Sequence, residues 1–184
     1  HDESISFDDK EIADRTLSDW NGNWTSVSNH LENGNLYDFI SSISSETNNS
    51  FEDVTVSYSK KWESQFDRFE INDSTLSVNN ENASYNYDGY EIVESENGKS
   101  VWYKFSSTDD NDKLPKYIMF SDHNIHTKTE EETHKINHFH FKYGNDSYDN
   151  LLELTNWSPT YFDEKLSSDE IAEILSEHNH SHEK

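Results

Sequence analysis

From Arg68 to Tyr143 the chain repeatedly switches between short runs of β-branched and aromatic residues and pairs of turn-forming residues, and this rhythm restricts the fold more than any other feature. Runs at Phe69 to Ile71, Thr75 to Val78, Ala83 to Tyr87, Tyr90 to Val93, Val101 to Phe105, Lys116 to Phe120 and Asn137 to Tyr143 read as strands. Asn72-Asp73, Asp88-Gly89 and Asn97-Gly98 sit between such runs and are hairpin-turn pairs. Strands joined in sequence by tight turns make an antiparallel meander, and six or seven of them favour a barrel or a sandwich.

The rest of the chain reads as helix. Leu36, Phe39, Ile40 and Ile43 recur at three and four, as do Val54, Tyr58 and Trp62, so the stretch from about Val27 to Asp67 is expected to be helical, with Ser50 and Asp53 marking a helix start. Two further pieces are expected near Tyr148 to Leu154 and from Ser168 to about Glu177. The second opens on a capping box, Ser167-x-x-Glu170, and carries Ile171, Ile174 and Leu175 as its apolar stripe. The expected organisation is a polar N-terminal arm over 1–16, one domain over 17–177 and a His-rich tail over 178–184, with Ser106 to Lys113 a polar loop. The fold class is mainly β with added α-helices.

Only 30% of the 184 residues are hydrophobic, a fraction close to that of disordered chains. Ten Phe, ten Tyr and five Trp outweigh that shortage, because each buries a large area and suits a β-rich core. A formal charge of −24 excludes nucleic acid and anionic membrane surfaces as partners and suits a cation binder, although acidity also keeps exported proteins soluble. No segment approaches the ~20 apolar residues of a membrane span. The start at His1-Asp2-Glu3 reads as a processed chain or an excised domain, and a monomer is expected.

Without cysteine, a metal site must be built from imidazole and carboxylate. His138-Phe139-His140-Phe141 supplies half of one, since residues two apart on a strand share a face. If the Tyr117 to His123 segment pairs antiparallel with that strand, His123 arrives beside them and a three-nitrogen Zn(II) site with an open fourth position results. Asp122 and nearby acid are candidate acceptors for the ring N–H groups. His126 and His134, with Glu130 to Glu132, lie on the intervening loop and are accessory candidates, as are His178, His180 and His182 of the tail; His30 either reaches the site or faces solvent. A ligating imidazole must be neutral at its donor nitrogen, so metal binding should weaken as pH falls through about 6.5. There is no H-E-x-x-H, G-x-S-x-G, nucleophilic cysteine or glycine-rich phosphate loop, so the chain is not expected to be an enzyme.

Several segments taken together resemble a known family. Leu17-Ser18-Asp19-Trp20-x-Gly22-x-Trp24-x-Ser26, Tyr87-Asp88-Gly89-Tyr90, Pro115-Lys116-Tyr117-Ile118-x-Phe120-Ser121-Asp122-His123, His138-Phe139-His140-x-x-x-Gly144-Asn145-Asp146-Ser147, Asn156-Trp157-x-Pro159-Thr160-Tyr161 and Leu166-Ser167-Ser168 are similar, in order, to the ZinT (YodA) family. The resemblance implies a lipocalin-like (calycin) antiparallel β-barrel with added helices, Gly22-x-Trp24 being similar to the lipocalin start motif. It also implies extracytoplasmic zinc binding by three histidines at the barrel mouth, matching His123, His138 and His140, in aid of an ABC importer whose solute-binding domain or permease would be the partner. Members occur as free periplasmic proteins or as the C-terminal domain of surface lipoproteins of the AdcA type. Gram-negative members carry an N-terminal His-rich segment, whereas here the His-rich segment is C-terminal. The expected function is therefore scavenging of Zn2+ outside the membrane. Two rivals predict different structures: a lipocalin-like carrier of a small apolar ligand needs an empty apolar calyx, and a three-His zinc hydrolase needs a substrate cleft with a general base.

Overall fold

The computed structural model describes residues 12–95, 98–122 and 136–182. A 3-10 turn, Leu17–Trp20, leads into β1 (Gly22–Ser26), followed by helices α1 (Val27–Glu32), α2 (Tyr37–Thr47) and α3 (Phe51–Lys61). The meander comes next: β2 (Arg68–Asn72), β3 (Thr75–Val78), β4 (Glu81–Ser95), β5 (Gly98–Ser107), β6 (Tyr117–Ser121) and β7 (His138–Gly144). Helix α4 (Tyr148–Glu153), strand β8 (Thr160–Asp163) and helix α5 (Ser168–His182) complete it. The strands pair in sequence order, all antiparallel, and β8 returns to β1 through Trp24↔Asp163, Thr25↔Phe162 and Ser26↔Tyr161, closing a barrel of eight. This is the lipocalin-like architecture that the resemblance implies.

Closure depends on two strands that the sequence pattern does not announce. β1 is five residues with only Trp24 as a large apolar group, and β8 is four residues directly after Pro159. In β8, Thr160, Tyr161 and Phe162 are all buried, so no polar face alternates with an apolar one. Asp88-Gly89 is not a turn between two strands. It is a bulge inside β4, where Tyr87↔Phe105 gives way to Tyr90↔Tyr103, leaving one extra residue on β4 and Gly89 at φ +96°.

The barrel axis is filled by side chains. Trp20 stacks on Phe120 with ring centroids 4.8 Å apart, Trp24 meets Phe139 at 4.6 Å, and Phe69 lies 4.9 Å from Phe141 and 4.5 Å from Tyr161. The Gly22-x-Trp24 motif has its physical basis here. Gly22 takes φ +139°, a conformation costly for other residues, and Trp24 Nε1–H donates to the Trp20 carbonyl at 2.8 Å, pinning the entry turn across the barrel end. Of the expected polar arm, the described residues 12–16 belong to the packed body: Ile12 is fully buried and Arg15 nearly so.

Outside the barrel, α1, α2, α3 and α5 bury Val27, Leu36, Phe39, Ile40, Val54, Trp62 and Ile171 around Phe162, which projects outward from β8. The helix starts are those expected: Ser50 Oγ accepts from Asp53 N–H at 3.0 Å, and Ser167 and Glu170 exchange the two bonds of a capping box at 3.2 and 3.0 Å. Helix α5 does not stop near Glu177 but runs to His182, because no glycine or proline follows to end it. Among the described residues no helix is long and apolar enough to cross a membrane.

Candidate metal centre

Strand β7 alternates strictly over its first four residues. Phe139 and Phe141 are fully buried in the barrel interior, while His138 and His140 are half-buried on the opposite, outer face. The pair therefore stands on the outside of the barrel wall at the rim where β7 begins, beside the helical layer, and not in the lumen. The reason is parity: with phenylalanines at 139 and 141 committed to the core, 138 and 140 must point away from it.

Neighbouring strands hold both rings. His138 pairs with Phe162 across β7 and β8, and the two rings stack with centroids 5.1 Å apart and planes 13° from parallel. Its Nδ1 lies 2.5 Å from Asn137 Oδ1; an amide oxygen has no proton to give, so Nδ1–H donates. His140 pairs with Thr160, and its Nδ1 lies 2.9 Å from Thr160 Oγ1. The single hydroxyl proton of Thr160 goes to the Ser158 carbonyl at 3.0 Å, so Thr160 accepts from His140 Nδ1–H. In the neutral ring, donation from Nδ1–H leaves the lone pair on Nε2, the form in which a metal ligand presents itself. The acceptors are an amide and a hydroxyl. Asp122, the other candidate acceptor, receives Arg15 Nη1–H on Oδ2 at 3.0 Å.

Asn137, Thr160 and Phe162 are site residues that sequence reasoning missed. Asn137 was detectable as the neighbour of His138, but Thr160 and Phe162 required β8 to be recognised as a strand. On the other side, β6 brings Ser121 opposite His140. Asp122 follows, with its side chain 2% exposed. His123, His126, His134 and Glu130 to Glu132 lie outside the described residues, as do the side chains of His178, His180 and His182, whose backbone is helical. Among the described residues no group of three or more His, Asp or Glu side chains is placed to hold an ion. Two nitrogens of the predicted three are thus described. His30 sits on α1, half-buried, with a buried Nδ1 that has no hydrogen-bond partner among the described residues, and burial lowers its pKa. A cleft of about 340 Å³ at the end of the barrel where β1 begins and β8 ends is lined by Asp19, Trp24, Ile136, Asp163, Glu164 and Lys165 among others.

The structure disfavours the apolar carrier, since aromatic side chains occupy the barrel interior where such a ligand would sit. For an exchangeable ion the outer-rim pair offers two half-buried imidazoles on one face, on a chain of formal charge −24.

Known proteins similar to the chain identify its family. The sequence model for "ZinT (YodA) periplasmic lipocalin-like zinc-recruitment" matches residues 2–178. The probable metal-binding protein YrpE of Bacillus subtilis (strain 168) is 34% identical over 178 residues, covering 94% of this chain and 68% of that protein. The zinc-binding lipoprotein AdcA of Streptococcus pneumoniae (strain ATCC BAA-255 / R6) is 32% identical over 181 residues, and there the match covers 94% of this chain but only 34% of the relative's length. Among solved structures, the Zn(II)-bound ZinT-like domain of Streptococcus pneumoniae AdcA superposes with a TM-score of 0.77 at 31% identity, covering 92% of this chain and 94% of that domain. The fold, the outward-facing histidine pair and a family match over nearly the whole length lead to one conclusion: this chain belongs to the ZinT (YodA) family of lipocalin-like zinc-recruitment domains.

Proposed function

We propose that the chain is an extracytoplasmic Zn(II)-recruiting module that captures the ion and passes it to the solute-binding component or permease of an ABC importer. The observation that carries this reading is the preset pair His138 and His140, each with Nδ1–H engaged by a fixed acceptor and Nε2 in the form that ligates. His123, which follows the anchored Asp122, is the third ligand, and water or a mobile side chain takes the fourth place. Imidazole nitrogen suits zinc, and a site with three protein ligands exchanges its ion more readily than a closed one. The acidic surface concentrates cations without choosing among them. The binding unit comprises residues 17–177 with the packed residues 12–16, and the histidines of the 178–184 segment form a looser collector. The module binds and hands over zinc; it does not catalyse a reaction.

Calorimetric zinc titration tests the reading on three proteins: the 184-residue chain, its His123→Ala/His138→Ala/His140→Ala variant, and a truncation after Glu177. One tight site is expected in the first and third and none in the second. A tight site surviving in the triple variant would overturn the assignment, and loss of that site on truncation would move it to the tail.

A further inference from the structure

Two neighbouring side chains inside the barrel end carry polar hydrogens that no described residue accepts. Arg15, with its side chain 1% exposed, gives Nε–H to Asp19 Oδ2 at 2.9 Å and Nη1–H to Asp122 Oδ2 at 3.0 Å, while Nη2 has no hydrogen-bond partner among the described residues. Trp20 is fully buried, and its Nε1–H has none either. The two side chains are in contact: the Arg15 guanidinium carbon lies 4.1 Å from the Trp20 ring centroid and 5.0 Å from that of Tyr103. Trp24, the next indole along the chain, is different, since its Nε1–H donates to the Trp20 carbonyl at 2.8 Å.

A buried N–H without an acceptor is rare in folded proteins, because burial strips its water and the lost bond must be replaced. Donors of this kind on two touching side chains call for a shared acceptor, and the surroundings select its chemistry. A cation does not fit, since guanidinium and indole N–H groups only donate. An anion fits poorly: two carboxylates already share the one guanidinium, so a further negative charge taken into the core would have nothing to offset it. A larger organic acceptor has no room, with the rings of Tyr103, Phe105 and Phe120 lying 5.8, 6.0 and 4.8 Å from that of Trp20, centroid to centroid. Water meets every condition. It is small and neutral, it accepts from both donors, and the oxygens of Asp19 and Asp122 lie beside Arg15 to take its own hydrogens.

We propose that the barrel end contains a binding site for one internal water, which accepts from Arg15 Nη2–H and Trp20 Nε1–H and so fastens the segment before the 3-10 turn to the last residue of that turn. Arg15, through Asp122, is also tied to the end of β6, so the water completes a polar link between the entry of the barrel and its wall. The site is separate from the His138 and His140 pair, and it stands whether or not the chain binds zinc.

The test is proton–nitrogen NMR of the indole groups in the 184-residue chain, with magnetisation transferred from water. The Trp20 Nε1–H is expected to show a water cross peak of opposite sign in the laboratory-frame and rotating-frame Overhauser spectra, the mark of a water held for longer than the protein takes to tumble. Trp24 Nε1–H, bonded to a carbonyl, serves as the control and should show no such peak. The double variant Arg15→Met/Asp122→Leu removes the guanidinium without leaving its carboxylate partner at 122 unpaired in the core, and it should lose the Trp20 peak. Absence of the peak in the wild-type chain would overturn the proposal, and this arm needs no variant to fold. An undiminished peak in the double variant would overturn the shared site, since the water would then rest on Trp20 alone. Titration with sodium chloride should leave the Trp20 resonance in place; a saturable shift would assign the site to an anion and overturn the choice of water.

Discussion

Thr160→Val isolates the claim that the ring partners, and not only the rings, make the site. Thr160 is 2% exposed, and its hydroxyl accepts from His140 Nδ1–H at 2.9 Å and donates to the Ser158 carbonyl at 3.0 Å. Valine keeps the branched shape and removes both bonds. The Ser158 carbonyl and the imidazole N–H each lose a partner, which costs about 1–3 kcal/mol for each group that water cannot reach. Zinc binding suffers separately: with no acceptor to hold Nδ1–H, the ring is free to turn and to place its proton on Nε2. Loss of such an orienting group costs metal sites roughly 10- to 100-fold in affinity, or about 1.4–2.7 kcal/mol. Thr160→Ser, which keeps the hydroxyl, should bind zinc nearly as the wild type does. The assays are competition with a chelating dye near neutral pH and nitrogen NMR of the imidazoles, which should show His140 protonated at Nδ1 in the metal-free protein. Equal affinity of the valine variant and the wild type, or an Nε2-protonated His140 before metal addition, would refute the reasoning.

Three further outcomes are expected. Burial holds the His30 pKa below the ordinary 6.5, so the unfolded chain binds more protons between the two values. The His30 contribution is complete above about pH 6.5 and is lost as pH falls towards the lowered value; His30→Gln should flatten this part of the pH dependence of urea-denaturation stability relative to wild type. Phe139→Ala empties a fully buried position between Trp24, Phe120 and Tyr161 and should cost about 3–5 kcal/mol, seen as a melting temperature lower by roughly 6–20 °C. Ser167→Ala removes the hydroxyl that caps α5 and should cost about 1 kcal/mol, with helical circular dichroism lost from that helix first.

Where local chemistry decides structure, reading along the chain succeeds. β3 spans Thr75–Val78 as its apolar alternation and flanking turns indicate, and Ser50 and Ser167 cap their helices because a hydroxyl three residues before an orphan N–H needs no tertiary help. The errors fall where the deciding partner is remote. Asp88-Gly89 has turn composition, yet β5 runs alongside both flanking segments and converts it into a bulge. β8 lacks alternation because the barrel covers one face and the helices the other. Ile12 and Arg15 look like part of a polar arm until the barrel core takes in the first and Trp20, Tyr103 and Asp122 enclose the second.

The histidine pair divides the same way. Sequence alone determined that His138 and His140 share a face, since strand parity is a property of the backbone, and that the metal chemistry must be imidazole and carboxylate, since there is no cysteine. It also determined, through turn pairs and aromatic runs, that the chain would build an antiparallel meander. Only the tertiary structure decided that the shared face looks outward, because the core claimed Phe139 and Phe141. Only it supplied Thr160 and Phe162, from a separate strand further along the chain, to hold the rings. The physical reason is that a tautomer and a ring orientation are set by what lies across the strand gap, and pairing across that gap is settled by closing the barrel as a whole.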